Sequence, residues 1–92
     1  MHILRIEHSV FDYERWKAAF DSDPIGREHS GVHRYRVLRA SDDPNYDTID
    51  LEFDTLGEAE AANASLRELW SRVDVMHSPK ARIAEAVESK EY

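Results

Sequence analysis

The sequence predicts an α+β fold in which four antiparallel strands carry two helices on one face of the sheet. Short stretches with apolar residues at every second position are typical of half-buried strands. Two longer stretches have apolar residues at spacings of three and four, which is typical of amphipathic helices. Along the 92 residues the order is strand, helix, strand, strand, helix, strand. We therefore expect one domain, residues 1–92, of the ferredoxin-like βαββαβ type with strand order 4-1-3-2.

The first strand and the first helix are predicted from residues 2–23. The strand covers residues 2–10, and its inward-facing side chains are Leu4, Ile6, His8 and Val10. Asp12 has the position of a helix N-cap. The apolar face of the helix consists of Tyr13, Trp16 and Phe20. Pro24 and Gly26 follow and end the helix.

A hairpin is predicted for residues 32–54, with strands at 32–39 and 46–54 and the turn sequence SDDPN between them. A turn centred near Asp43 pairs opposite charges on one side, namely Arg34 with Glu52 and Arg36 with Asp50. The same register pairs apolar residues on the other side, which are Tyr35, Val37, Ile49 and Leu51. A shift by one residue would break both matches, so we favour this register. His33, in phase with the apolar set, is expected to face the helices.

The second helix starts at a predicted capping box formed by Thr55 and Glu58. Its apolar face is predicted to hold Ala59, Ala62, Leu66, Leu69, Trp70 and Val73. Residues 74–80 are expected to form a loop, and residues 81–88 the last strand.

The composition excludes several classes of function. With 19 acidic and 12 basic residues and a net charge of −7, general binding to nucleic acid or to anionic membranes is not expected. Residues 1–10 carry Arg5 and Glu7 within their apolar stretch, which argues against a signal peptide. The chain has no cysteine, and hence no disulfide, thiolate metal site or cysteine nucleophile. We expect a cytoplasmic protein.

The predicted topology brings histidines and large aromatic side chains to the end of the sheet where strand 1 finishes. The candidates there are His8, Tyr13, Trp16, Trp70, Met76 and His77. This mixture suits a small apolar pocket with a few polar groups. His8 is either a general base or a core histidine bonded to a backbone carbonyl, and His77 either moves a proton or is a surface histidine.

Other candidates have structural alternatives. Trp16 and Trp70 could be core residues as well as a platform for a ligand. Asn63 interrupts the apolar face of the second helix, so it either bonds a sheet or ligand group or turns toward solvent. His29 and His33 flank Gly31 where a strand begins, which is not the helical pair that metal sites favour. We expect no metal site, and no motif for a cofactor is present.

Several segments together resemble the dimeric α/β-barrel superfamily. These are FDYERWKAAFD in the first helix, then Arg27, then Gly31 opening a strand, the DDPN turn, and FDT before the second helix. The closest resemblance is to small antibiotic-biosynthesis-monooxygenase-like proteins. It implies a homodimer in which two four-stranded sheets face each other, with a pocket between sheet and helices in each subunit.

In relatives of this kind the pocket uses an Asn, a Trp and often a His. Asn63 and Trp70 are the counterparts in type, whereas the second helix has no histidine, so haem ligation is not expected. Arg27 matches a recurring arginine and is expected to anchor the connection after the first helix. The charges of the hairpin would face the partner subunit.

Two functions follow as hypotheses. The first is a cofactor-independent monooxygenase or isomerase acting on an aromatic or polyketide-like substrate, with His8 or His77 moving a proton. The second is a non-catalytic homodimeric module that binds a ligand or takes part in a stress response. An open pocket containing His8, Trp16 and Asn63 would favour the enzyme, and a filled core with His8 bonded to backbone would favour the module.

Overall fold

A computed structural model describes residues 1–72 and 76–92, and of residues 76 and 77 it describes the backbone alone. The elements are β1 His2–Val10, α1 Tyr13–Asp21, β2 Arg34–Ala40, β3 Asp43–Phe53, α2 Leu56–Trp70 and β4 Met76–Glu85. They form a four-stranded sheet with the order β2-β3-β1-β4, and all neighbouring strands are antiparallel. This is the predicted order read from the opposite edge, so the predicted fold class is confirmed.

The helices begin where the capping residues predict. The Asp12 side chain accepts a hydrogen bond from the Glu14 backbone N–H at 3.0 Å, and α1 follows. Thr55 and Glu58 form a complete capping box at the start of α2. Each helix presents one face to the sheet, and no helix of the described ranges is long and apolar enough to cross a membrane.

The hairpin has the predicted register, with Arg34 opposite Glu52 and Arg36 opposite Asp50. Its strands differ in extent from the prediction: β3 starts at Asp43 and runs through the proline, because a register shift after Arg39 absorbs the extra residues. A proline is tolerated where a bulge removes the need for its N–H.

The expectation for His33 is wrong. It lies before β2, its side chain is 60% exposed, and its Nε2 lies 2.8 Å from the Asp54 carboxylate. Its backbone N–H donates to the carbonyl of Glu52, which joins it to β3 although the side chain is in solvent.

The last strand also starts earlier than predicted. Residues 73–75 lie outside the described residues, but β4 already begins at Met76 and ends at Glu85. The predicted loop is wrong from residue 76 onward, and the predicted strand is too long at its end. A register shift between Glu7 and Ser9, together with a positive φ of 43° at Ser78, lets the strand pass the proline at an edge of the sheet.

The two faces of the sheet have different surroundings. The helix-covered face carries the core, made of Leu4, Ile6, Val10, Ile49, Leu51 and Phe53 packed against Trp16, Ala59 and Ala62. The other face is uncovered in the single chain and carries ion pairs. Arg5 holds both carboxylate oxygens of Asp50 at 2.8 Å, and Arg34 holds Glu52 at 2.7 Å. Arg5, chiefly through its hydrogen bonds, and Arg36 lower the pKa of Asp50.

Candidate functional site

A cavity of about 180 Å³ lies between the sheet and both helices. Its walls come from β1, β3, α1, α2 and the connection after α1, and they are almost entirely apolar. The side chains that matter for chemistry are His8, Trp16, Arg27 and Trp70. A cavity of this kind, apolar with a few polar groups, is typical of small-molecule sites.

His8 lies in the cavity wall on β1 and is only 2% exposed. Its ring centroid is 5.1 Å from that of Trp16. Burial lowers the pKa of His8 to about 4, against a smaller opposing contribution from its own backbone, so the imidazole is neutral at neutral pH. Its Nδ1 is buried and has no hydrogen-bond partner among the described residues. Both interpretations of His8, as a general base and as a core histidine bonded to a backbone carbonyl, stay predictions.

Asp47 lies next to His8 and was not expected at the site. It is the direct partner of His8 in the β1–β3 register, so both side chains project from the same face of the sheet. Its exposure is 0%, and neither carboxylate oxygen has a hydrogen-bond partner in the described part of the chain. Burial raises the pKa of Asp47, and the positive charge of Arg39, its register partner on β2, opposes that rise.

A signal for Asp47 exists in the sequence. It lies in phase with Ile49, Leu51 and Phe53, two positions before the first of them, so the period of the strand places it on the apolar face. A carboxylate in that phase belongs either at the end of the core or beside a functional group.

The aromatic residues form a continuous stack along α1. Trp16 is buried and packs against Tyr13, with ring centroids 5.9 Å apart, and against Phe20 at 5.3 Å. Trp16 and Trp70 line the cavity, whereas Tyr13 is not among its described lining residues. The structure thus brings His8 and both tryptophans to one cavity and places Tyr13 behind Trp16.

Asn63 is not among the described lining residues of the cavity, and the side chains of Met76 and His77 are not described. Asn63 is half-buried on α2, outside the described lining of the cavity, and its Oδ1 has no hydrogen-bond partner in residues 1–72 or 76–92. The backbones of Met76 and His77 pair with Val10 and Ser9, and their side chains lie outside the description. A role for His77 stays a prediction.

Arg27 joins the connection after α1 to the helix end. Its NH1 donates to the carbonyl of Phe20 at 2.8 Å, and its backbone N–H donates to the Asp23 carboxylate at 2.8 Å. The guanidinium lies 4.0 Å from the centre of the Phe20 ring and 4.8 Å from that of Tyr35. Such stacking on aromatic faces fixes a guanidinium in place. The same side chain forms part of the cavity wall.

No group of three or more potential metal ligands occurs among the described residues. The candidate site is therefore a cavity with one imidazole in its wall, aromatic surfaces, and a buried carboxylate on the strand position opposite that imidazole.

Comparisons with known proteins show the fold. No family model matches the chain, and no curated protein matches it. Among solved structures the chain is similar to a variant of SnoaB, a cofactor-independent oxygenase from Streptomyces nogalater, with a TM-score of 0.76 and 13% identity over 96% of this chain and 94% of that one. It is similar to a variant of MhuD with two manganese protoporphyrin IX bound per active site, with a TM-score of 0.72 and 15% identity over 100% of both chains. A dimeric ferredoxin-like protein from an uncultured marine organism has a TM-score of 0.71 and 10% identity over 97% of both chains.

These similarities confirm the resemblance at the level of fold. The chain has the ferredoxin-like architecture of the antibiotic biosynthesis monooxygenases and their dimeric neighbours. Sequence identities of 9–15% carry no activity with them.

The cavity does not fit a porphyrin. Pockets for drug-sized ligands measure roughly 300–1,000 Å³, and a porphyrin is at least of that size, whereas this cavity measures about 180 Å³. Of the two helices that line it, α2 contains no histidine, and the histidine in the cavity wall, His8, lies on β1. The size of the cavity therefore gives no support to haem binding.

Proposed function

We propose that the protein is a small enzyme of the cofactor-independent monooxygenase or isomerase type, with His8 as its general base. The observation that carries the proposal is the state of His8. Its ring is buried and neutral, forms part of the wall of an apolar cavity, and leaves Nδ1 without a partner in the described structure. Buried polar atoms are usually hydrogen-bonded, and groups with strongly shifted pKa values are concentrated at functional sites.

The size of the cavity limits the substrate. An apolar cavity of ~150 Å³ in another protein holds one benzene molecule, and the present cavity measures about 180 Å³. We infer a substrate with one aromatic ring or two fused rings. A polyketide with three or four rings would require the helices to move apart. Trp16 and Trp70 supply aromatic faces against which a flat ring can stack.

The chemistry follows from a neutral imidazole in apolar surroundings. His8 accepts a proton from an acidic C–H or O–H of the substrate, and the electron pair of the broken bond stays on the substrate. In an isomerase the proton returns at another atom. In an oxygenase the electron-rich anion itself reduces O₂, so that a CH₂ group becomes C=O and the second oxygen atom leaves as water. A base with a pKa of about 4 requires a substrate with an unusually acidic proton, such as a polyphenol or an activated methylene group.

The alternative is a non-catalytic ligand-binding module. Two of the three features that favour the enzyme, His8 and Trp16, are present at the cavity, and the third, Asn63, is not among its described lining residues. An open cavity beside His8, where the module would have a filled core, favours the enzyme.

The test uses O₂ consumption and proton exchange with one- and two-ring polyphenols, including 1,4-dihydroxynaphthalene. We expect turnover by the wild-type protein, and a loss of about 10²–10⁴-fold in kcat for His8→Gln, because general-base catalysis contributes that much. Quenching of tryptophan fluorescence reports binding, which should change only a few-fold. His29→Gln, at an exposed histidine, is the matched control and should behave as wild type.

The outcomes separate the two functions. Binding without turnover for every compound of this class favours the module. Turnover by His8→Gln equal to that of the wild type removes His8 from the mechanism.

We also propose that the protein is a homodimer that buries the uncovered face of the sheet. The dimeric ferredoxin-like neighbour supports this assembly, as does the pairing of Asp50 and Glu52 with arginines, because charges on a buried face must be matched. Light scattering at micromolar concentration should give twice the chain mass of 10.7 kDa. A monomer mass contradicts the proposal. So does a dimer that is unaffected by Leu38→Glu on the uncovered face.

A further inference from the structure

We propose that Asp47 is a positioning residue that orients the imidazole of His8 and stabilises the imidazolium formed when His8 takes a proton. This inference rests on the proposed function, since it concerns the same histidine. Asp47 does not touch the cavity among its described lining residues, so it acts through His8.

The geometry that supports the pair is the β1–β3 register. His8 and Asp47 are directly opposite on neighbouring antiparallel strands and project from the same face. The Cβ atoms of such partners are about 4.5–5.5 Å apart, which is within reach of a hydrogen bond between an imidazole and a carboxylate after a side-chain rotation.

The unpartnered atoms of the two residues are complementary. His8 has a buried Nδ1, which is a donor when it carries the proton, and Asp47 has two buried acceptor oxygens. None of the three has a hydrogen-bond partner in the part of the chain that the structure describes. His8 can therefore supply the donor, and Asp47 the acceptor, of one hydrogen bond, formed either directly or through one buried water.

Burial raises the pKa of Asp47, and Arg39 is the neighbouring charge that opposes this rise and favours the carboxylate. Arg39, on β2, is the register partner of Asp47. Its guanidinium lies 4.7 Å from the centre of the Tyr13 ring on α1, so it is on the helix-covered side of the sheet, as Asp47 is. Asp43 on β3 acts in the opposite direction, toward protonation. On β4, His77 is near in register, and its side chain lies outside the description. The cavity-lining residues described on α2 are Leu66, Leu69 and Trp70, which carry no charge.

The proton step then has a defined direction. A hydrogen bond from Nδ1–H to Asp47 fixes the tautomer in which Nε2 carries the lone pair. The substrate C–H or O–H bond breaks, the N–H bond forms at Nε2, and the electron pair remains on the substrate. Asp47 keeps its negative charge and takes no proton. The imidazolium then forms beside a carboxylate, so the buried pair is neutral overall, which reduces the cost of creating charge in an apolar site.

The experiment follows the His8 ring nitrogens by NMR in ¹⁵N-labelled full-length protein, with and without 1-naphthol as the probe. The variants are Asp47→Asn and the control Asp42→Asn, an exposed aspartate in the turn of the same hairpin. We expect wild type with the probe to carry the proton on Nδ1. In Asp47→Asn the pKa of His8 should fall by at least about one unit, and the control should match wild type. A pKa and tautomer of His8 unchanged in Asp47→Asn overturn the proposal, as does an equal shift in Asp42→Asn.

Kinetics give a second readout. With a substrate that is turned over, Asp47→Asn should lower kcat about 10- to 100-fold and leave KM nearly unchanged, because the interaction strengthens as the imidazolium forms. An unchanged kcat, or a loss confined to KM, overturns the positioning role. The NMR experiment needs no turnover. If no compound is turned over but the pKa of His8 depends on Asp47, the proposed function fails and the pairing of Asp47 with His8 stands.

Discussion

Two aspartates of β3 stand three positions apart on opposite faces of the sheet, and both are buried, Asp47 with 0% and Asp50 with 1% exposure. Asp50 receives two hydrogen bonds from Arg5 at 2.8 Å and one from Arg36 at 3.4 Å. Asp47 receives none from the described residues. The pKa of Asp50 is accordingly lowered by its arginines, and that of Asp47 is raised by burial.

The contrast distinguishes a structural carboxylate from a candidate functional one. A buried polar group without a partner costs roughly 1–3 kcal/mol, and a charged one costs more. Arg5 and Arg36 remove that cost at Asp50. At Asp47 the cost remains unless a ligand, a water or His8 satisfies the carboxylate. On the same strand, Asp50 has hydrogen-bond partners and Asp47 has none among the described residues, although Asp47 lies opposite a histidine that also has an unpartnered nitrogen. This difference makes Asp47 the better candidate for a functional carboxylate.

The same contrast extends to the two faces. On the uncovered face, Asp50 and Glu52 lie beneath half-exposed arginines. On the helix-covered face, His8 lies in the wall of an apolar cavity, and buried atoms of His8 and of its register partner Asp47 have no hydrogen-bond partner among the described residues. On the uncovered face the buried charges are matched, as a protein interface would require. On the covered face buried polar atoms of the described residues are left unmatched, as is common in a binding site without its ligand.

The largest expected effect concerns the pH dependence of stability. The unfolded imidazole protonates near its ordinary pKa of 6.5, whereas that of folded His8 protonates near 4. The unfolded state therefore binds more protons between these values, and the stability present above pH 6.5 is lost as the pH falls toward 4, by up to about 3 kcal/mol. Urea unfolding of wild type and of His8→Phe between pH 7 and 4 measures this loss as a difference. Equal pH profiles would show that His8 is not buried as a neutral ring.

The pH window in which Asp50 affects stability lies below that of His8. The pKa of Asp50 is lowered from its ordinary value of 3.8, so its stabilising contribution is present above pH 3.8 and is lost only below it. His29→Phe, at an exposed histidine, should follow the wild-type profile and serves as the control.

Much of the fold could be predicted because the responsible signals are local. The period of β1, the caps at Asp12 and Thr55 and the charge pairing of Arg34 and Arg36 all agree with the structure. The start of β4 could not be predicted, because it depends on a register shift between Glu7 and Ser9 of another strand. Proline in an apparent loop sequence gives no sign that an edge strand passes through it.

The candidate site could be predicted in part. His8, Trp16 and Trp70 come together because period and topology suffice to bring them to one region of the fold. Asp47 was missed although the predicted strand 46–54 contains it in phase with Ile49, because only the register of β1 with β3 pairs it with His8. Arg27 was expected to be an anchor, and its place in the cavity wall depends on the path of the connection, which local pattern does not determine.

The smaller expected effect compares the two aspartates directly. Asp50→Asn should lower the free energy of unfolding by about 2 kcal/mol, because it removes charge-assisted hydrogen bonds worth roughly 1.5–3 kcal/mol. The loss should stay below the ~3–5 kcal/mol of a fully buried pair, because Arg5 and Arg36 are half-exposed and can be rehydrated. Asp47→Asn should change stability by less than about 1 kcal/mol in either direction, because it loses no hydrogen bond that the described residues make and relieves the burial of a charge. Urea unfolding at pH 7 measures both. An equal loss in the two variants would mean that the native protein satisfies Asp47 as fully as Asp50, and the distinction between the two carboxylates would then no longer hold.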